Sequence, residues 1–481
     1  MRPTCSSRSS AGCRSSRSTH VWPLHTTARA GCHSDDSTPS PTPSTSLRTG
    51  LPRAFRAIGS SFRRPSEGAF SGPGLRRDEA LTRHGARYNP RMTALNEDQR
   101  AILATVRRFV DEEVRLRAAA LDAQQNPEDC FSWELVEQAH ALGIRTMTLD
   151  EQWGGLGLDS LTTSMVVEEL ATGDMGFAVV MAQTFKIAQL MQKAFSDEQR
   201  ARILPAIAAN PRSVLAIGMS EPGNGSDKHT NQPVPFATYA TRTSGGWIVN
   251  GLKHFISNGN RASHYLVMVQ TDRAKTMANG STCFLLERGH PGFTIGRVHD
   301  KMGERLANNA ELVFQDCLIP DANVVGDVNR GSEVFAKFSP QSNAYAGATV
   351  LGVAVTLQRK AIDWAKVRVQ GGKPLIEHDG IRAQLAEMRM LIDASRAYIH
   401  RAAWLADHPQ SGWDATLGSL PKAMAAQAAW QIAQWTMEIH GGHGYMKEFG
   451  VEKLVRDAAA FLHSDGVNRT LFLKAANAMF R

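Results

Sequence analysis

Near the C-terminal end, in "FLHSDGVNRT" (Phe461 to Thr470), one acid, Asp465, stands between a serine and a glycine with no second carboxylate in the segment. Asp-Gly is a strong turn signal, so the plain reading is a solvated turn. The chemical reading is a lone base, able to take a weakly acidic proton if its surroundings are tuned for it. Two further stretches set polar groups and glycines among apolar residues. "AIGMSEPGNGSD" (Ala216 to Asp227) concentrates hydroxyls and glycines, which let backbone amides approach a bound group closely. "HFISNGN" places Phe255 and Ser257 two apart, on one face of a strand. In "EIHGGHGY" a helix ends on paired glycines, Gly441 and Gly442, either as a simple cap or with amides open to a phosphate. His440 and His443 lack metal-ligand spacing, and GxGxxG, P-loop and HExxH patterns are absent. No metal is expected.

The elements that must position these residues follow from hydrophobic period. Asn96 and Gln99 resemble a capping box, after which Val106, Phe109, Val110 and Val114 share a helical face. Helical patterns continue through "SWELVEQAHALG", "LTTSMVVEELATG" and "SDEQRARILPAIAAN". Near Val214 the period changes. "GGWIVNGLKHFISNG", "SHYLVMVQT", "STCFLLER", "GFTIGRV" and "AELVFQDCLIP" are short, rich in β-branched and aromatic residues, and separated by Gly, Asn and Pro. They predict antiparallel strands. Beyond about Gly331 long Ala-rich helices return; Met424, Ala428, Ile432, Trp435 and Ile439 repeat at spacings of three and four before Gly441 stops the helix. The expected fold is α+β and multidomain: a leader (1–91), an N-terminal helical domain (92–212), a middle antiparallel β domain (213–330) and a C-terminal helical bundle (331–481).

The chain has 481 residues and a formal charge of +8, but the charge is unevenly spread. Residues 1–91 hold 15 Arg, no Lys and 5 acids, a balance of +10 that leaves the remainder at −2. That leader, rich in Ser, Arg and Pro, is expected to be disordered. It resembles a transit peptide in composition; the plainer expectation is a working protein starting at Met92. A nearly neutral body argues against nucleic acid as partner, and no apolar run is long enough for a membrane span. Cys130, Cys283 and Cys317 are widely spaced and form no redox or metal motif, which fits a reducing compartment.

Six strings occur together in order: "EQWGGLGLDS", "MSEPGNGSD", "GLKHFISNG", "KMGERLANNAELVFQDCLIP", "RVQGGKPLIEHDGIRAQLAEM" and "HGGHGYMKEFGVEKLVRDA". From about Met92 to Arg481 the chain thereby resembles the acyl-CoA dehydrogenase family. The resemblance implies a C-terminal four-helix bundle, FAD between the β domain and the bundles, and a homotetramer or homodimer. It implies α,β-dehydrogenation of an acyl-CoA in fatty acid metabolism, with electrons passed to an electron-transfer flavoprotein, in the cytoplasm or, if the leader is a transit peptide, the mitochondrial matrix. By the same resemblance Ile217, Met219 and Ser220 contact the flavin ring, Phe255 stacks near it and Ser257 donates to its N5. Arg368 reaches a neighbouring subunit's FAD, and Glu438, Gly441 and Gly442 meet that cofactor's diphosphate. Val467 lies beside the cofactor, Ser226 faces the substrate's pantetheine, and Gly466 gives close approach to the thioester. Asp465 matches the catalytic base, with an apolar pocket expected to raise its pKa towards neutrality.

The chain departs from the family pattern at several positions. Ser342 replaces the base of another branch, and Asn343 stands where arginine is usual. Gly371, Asp379, Glu438 and Val467 each replace a residue expected to contact FAD. The shorter Asp465 suits a branched, cyclic or substituted acyl group. Two rival readings come from the same superfamily: an acyl-CoA or nitroalkane oxidase, and a non-catalytic DNA-associated homologue.

Overall fold

The computed structural model describes residues 95–225, 234–337 and 339–480. The leader over 1–91 and the candidate Ser226 lie outside the described residues. Helix α1 (Glu97–Phe109) begins at the expected capping box: the Asn96 side chain accepts from the Gln99 amide at 2.7 Å, and the Gln99 side chain accepts from the Asn96 amide at 3.1 Å. It buries Ile102, Val106 and Phe109 and passes through one π turn (Val110–Val114) into α2 (Arg115–Asp122). α3 (Trp133–Ala141), α4 (Ser160–Gly173), α5 (Met175–Ala194) and α6 (Asp197–Ala209) complete the first helical layer. α5 starts on Asp174, whose carboxylate accepts from the Phe177 amide at 2.8 Å, and is buried from Met175 to Met191. A helix buried all round has neighbours on every side, so any polar residue on it needs a particular reason.

Strands β1 (Leu215–Gly218), β2 (Tyr239–Thr243), β3 (Gly246–Ser257), β4 (His264–Gln270), β5 (Ser281–Glu287), β6 (Phe293–Val298), β7 (Asn309–Ile319) and β8 (Val324–Val325) form one sheet. Its order is β6-β7-β3-β2-β4-β5-β8, with β1 also paired to β4. The sheet is mixed, which corrects the antiparallel expectation: β1 runs parallel to β4 (Leu215 opposite His264), and β2 meets β4 in parallel through Tyr239 and Gln270. Hydrophobic alternation reveals that a segment is a strand but does not reveal its partner.

Helices α7 (Ser339–Val367), α8 (Asp379–Asp407), α9 (Leu420–His440), α10 (Val451–Ala460) and α11 (Asn468–Met479) follow. α7 packs on α8, α9 and α10, and also along α4. A single apolar cluster therefore holds Val106, Leu170 and Phe185 of the first layer together with Leu351, Ile399 and Ile432 of the last helices. A second cluster lies between α5, α6 and the sheet, and a third covers the opposite sheet face. A hairpin, β9 (Val369–Gln370) and β10 (Lys373–Pro374), joins α7 to α8 through Gly371 and Gly372, both at positive φ (62° and 83°). That turn accounts for glycine at 371, where a bulkier residue would be strained. Among the described residues no helix is long and apolar enough to cross a membrane. Cys130, Cys283 and Cys317 are buried and free.

Candidate active site

A cleft of about 1500 Å³ opens where α5, the ends of β1 and β3, the start of α7 and the loop before α11 converge. Asp465 lies on its wall, in the loop between α10 and α11. Asp465 and Gly466 both have positive φ, 50° and 100°. Two successive left-handed residues reverse the chain sharply, and Asp and Gly are types that tolerate this. A Cβ at 466 would lie 2.9 Å from Leu471 Cδ2. Glycine is thus needed for conformation and for space.

The loop is gripped from two helices. Lys422 of α9 donates to the Gly466 carbonyl at 2.7 Å and to Asn468 Oδ1 at 3.0 Å. Lys186 of α5 pairs with Asp465 Oδ2 at 3.0 Å, its own side chain 3% exposed against 25% for the aspartate. The expected apolar surroundings of Asp465 are therefore corrected: a buried ammonium touches the carboxylate. Burial pushes Lys422 down to about 8, against the opposing pull of Asp465. Nor is Asp465 alone among acids. Glu304, which also lines the cleft, is pushed up by burial, opposed by Lys301 at 3.3 Å, with the charges of Asp457 and Asp465 adding to the rise.

Across the cleft, Ile217, Met219 and Ser220 leave β1, and Phe255 and Ser257 end β3. Phe255 and Ser257 do both border the cleft, but by a route other than simple alternation. The β3–β7 register shifts between Lys253 and Ile256, and Phe255 takes φ 57°. Its ring is 59% exposed, against His254 and His299 at centroid separations of 3.8 and 4.7 Å. Behind this wall, buried Lys253 pairs with Glu221 at 2.7 Å and also donates to the Met219 carbonyl at 3.2 Å. Glu221 accepts from the Ala237 and Thr238 amides at 2.7 and 3.0 Å. The pair ties the Met219–Glu221 turn to β3, and burial pushes Lys253 down to about 8 despite Glu221.

Val467 and Gly466 also line the cleft. Arg368, Glu438, Gly441 and Gly442 do not: all four are exposed and lie away from it. Asn343, buried at the mouth of α7, donates to the Gly418 carbonyl at 2.6 Å, and its Oδ1 has no partner among the described residues. Sequence reasoning missed Lys186, Lys422 and the Lys253–Glu221 brace. For Lys186 a signal existed, a lysine inside the otherwise apolar "MGFAVVMAQTFKIAQLM". It also missed that His254, His299 and Glu311 bring their ligand atoms within 4.8 Å of one another, a group able to hold a cation that no local spacing announces.

Residues 96–211, 216–317 and 329–480 match, in that order, the acyl-CoA dehydrogenase N-terminal domain, middle domain and C-terminal domain. The chain belongs to the acyl-CoA dehydrogenase family. It is 32% identical over 364 residues to the short-chain specific acyl-CoA dehydrogenase of Megasphaera elsdenii, covering 74% of this chain and 92% of that protein. It is 30% identical over 366 residues to the human mitochondrial short-chain specific enzyme, covering 76% and 85%. The solved butyryl-CoA dehydrogenase of M. elsdenii superimposes with a TM-score of 0.74 at 30% identity, over 81% of this chain and 99% of that one. A chain from a structure described as the electron transferring flavoprotein of Acidaminococcus fermentans gives the same TM-score, 0.74, at 28% identity over 81% and 99%.

Acyl-CoA dehydrogenases are FAD-dependent oxidoreductases. The cleft fits that group on its own chemistry. The Phe255 ring is uncovered at a strained backbone position and offers a flat apolar face. The Ser257 hydroxyl accepts from Asn309 Nδ2 at 3.4 Å, leaving its proton to donate into the cleft.

Proposed function

We propose that the chain oxidises the Cα–Cβ bond of an acyl-CoA thioester, with Asp465 as the base. The observation that carries this reading is the juxtaposition of Asp465, on its left-handed loop, with the Ile217–Ser220 and Phe255–Ser257 walls around one cleft. Bound FAD supplies the acceptor for the β-hydrogen and its electron pair. Asp465 takes the α-proton, and a carbon–carbon double bond forms between the two positions. Ile217, Met219 and Phe255 present apolar surface to the ring, while Ser220 and Ser257 supply hydroxyls. The Lys253–Glu221 brace keeps the first wall from shifting, which matters because a misplacement of about 1 Å can cost roughly a hundredfold in rate.

The exposed positions of Arg368, Glu438, Gly441 and Gly442 suit contact with the cofactor of a second copy, in a homodimer or homotetramer. The likeness to a chain from an electron transferring flavoprotein structure supports an electron-transfer flavoprotein as acceptor. The test is anaerobic titration of the purified flavoprotein with an acyl-CoA panel. Wild type bleaches its flavin, and Asp465→Asn keeps flavin but does not bleach. Full bleaching by that variant would remove Asp465 from the role of base.

A further inference from the structure

Beside the Phe255 ring, three adjacent strands gather side chains that the oxidation of an acyl group does not use. β7 runs between β6 and β3. Its Ala310 and Leu312 are two residues apart, yet they pair with Ile256 and Lys253 on β3 and with Val298 and Ile295 on β6. Each neighbour thus carries one residue more than β7 over the same step, which puts a bulge on either side of Glu311. Ala310, Leu312 and Lys253 are fully buried, so Glu311 and His254, next to them in the chain, leave the sheet on the opposite face. His299 follows Val298 directly, and its amide donates to the Asn309 carbonyl at 2.8 Å. The two bulges re-aim the side chains towards one another. One ligand atom from each of His254, His299 and Glu311 then lies within 4.8 Å of the other two.

Hydrogen bonding alone does not account for this grouping. His254 Nε2 is 3.6 Å from Glu311 Oε1, too far for a good hydrogen bond. His299 Nε2 is buried and has no hydrogen-bond partner among the described residues. The carboxylate is nevertheless held in place. The Arg297 amide donates to Glu311 Oε2 at 3.1 Å, and a Cβ at Gly296 would lie 2.8 Å from the same oxygen, so glycine there makes room for it. Ligating carboxylates are supported by such outer hydrogen bonds. The nearby cations are answered elsewhere. Lys301 has Glu304 at 3.3 Å and donates to Asn309 Oδ1 at 2.9 Å, while Arg297 is exposed and screened by water. We propose that His254, His299 and Glu311 bind a divalent transition-metal ion of the zinc class. Both histidines border the cleft, from which the ion enters and to which a fourth coordination position stays open. Two imidazole nitrogens and one carboxylate suit zinc far better than magnesium or calcium, which take oxygen ligands. Ligand atoms about 2.0–2.1 Å from one tetrahedral ion lie about 3.3–3.5 Å apart, so the group closes by about 1.5 Å at most, within reach of side-chain rotation. Both imidazoles touch the Phe255 ring, at centroid separations of 3.8 and 4.7 Å, so an ion that pins them also steadies that ring. The site stands whether or not Asp465 acts as a base.

The experiment titrates zinc chloride into the chelator-stripped, full-length flavoprotein by calorimetry, comparing wild type with His299→Ala and Glu311→Gln. Ions held elsewhere, including any on Cys5, Cys13, Cys32 or the histidines of residues 1–91, are common to all three proteins and cancel in the comparison. Wild type should show a binding event that each variant weakens by at least about tenfold, the loss that follows even when only an outer partner of a ligand is removed. Glu311→Gln is the gentler change, because its amide oxygen still accepts from the Arg297 amide; should His299→Ala fail to fold, this variant decides. Zinc should also raise the midpoint of thermal unfolding more in wild type than in Glu311→Gln, since an ion bound only to the folded chain stabilises it. Magnesium chloride in place of zinc should give no event that depends on these residues. Identical zinc binding in wild type and both variants overturns the proposal. Magnesium binding as tight as zinc, and lost in the same variants, overturns the assignment of the ion to the zinc class.

Discussion

Replacing Lys253 by methionine tests how much of the cleft wall proposed to face the flavin depends on one buried ion pair. Lys253 is fully buried and Glu221 is 2% exposed, so water cannot rescue either charge once its partner is lost. Methionine keeps most of the aliphatic volume and can set its thioether over the Phe236 ring in place of the ammonium, whose Nζ lies 3.9 Å from the centroid. The cost is therefore chiefly that of a stranded carboxylate. For a buried pair broken on one side this is about 3–5 kcal/mol. Glu221→Gln, which strands the ammonium, should cost about the same. The double replacement removes both charges and leaves only the imperfectly matched Ala237 and Thr238 amides, at about 1–3 kcal/mol. The cycle should then show a coupling of about 3 kcal/mol or more. Urea unfolding followed by tryptophan fluorescence measures all four proteins, and retained flavin absorbance reports whether the Met219–Ser220 wall still holds. Additive single effects, or a loss below about 1 kcal/mol for Lys253→Met, would refute the claim that this pair braces the wall.

Gly466→Ala adds a Cβ at φ 100°, 2.9 Å from Leu471 Cδ2, so it should destabilise by about 1–3 kcal/mol and lower kcat more than KM by turning Asp465. Thermal unfolding and steady-state kinetics check the two parts. Phe255→Ala should raise the FAD dissociation constant by about tenfold, measured by fluorescence quenching, because the exposed ring loses its stacking face. For pH, Lys422 titrates near 8 when folded, below the ordinary lysine value of 10.5. Between those values the unfolded chain binds more protons, so this group's contribution to stability rises with pH through that window. The charge that grips the Gly466 carbonyl is meanwhile lost as pH rises through about 8. Activity should fall across that step while urea resistance does not, and Lys422→Met should lack the step.

Much of the architecture was legible because it is local. The Asn96–Gln99 box starts α1, and the five strings predicted as strands all appear as β3 to β7. Gly441 ends α9 at a positive φ of 59°, where hydrophobic spacing and a glycine stop placed it. Asp465 stood out because its turn chemistry and its place in a recognisable series agree, and it does border the cleft. What stayed hidden is non-local. Lys186 and Asp465 are 279 positions apart, and Lys422 reaches its loop from another helix. The parallel pairing of β1 with β4 leaves no mark on either strand. At Phe255 the expectation named the right residues, but the register shift that turns the ring into the cleft breaks the period used to find it.

The shared apolar cluster has a consequence for how the molecule is made. Ser160, at the head of α4, is hydrogen-bonded to Asp407 at the far end of α8, and Glu168 is clasped by Arg396. Helix α4 thus meets its mates on α8 only after more than two hundred further residues have been made, whereas strands such as β4 and β5 find each other within a short stretch. Until then α4 and α5 hold greasy faces with nothing to cover them. During that interval the nascent chain should be a client of holding chaperones, and a premature stop anywhere in the last helices should yield an aggregate rather than a smaller folded product.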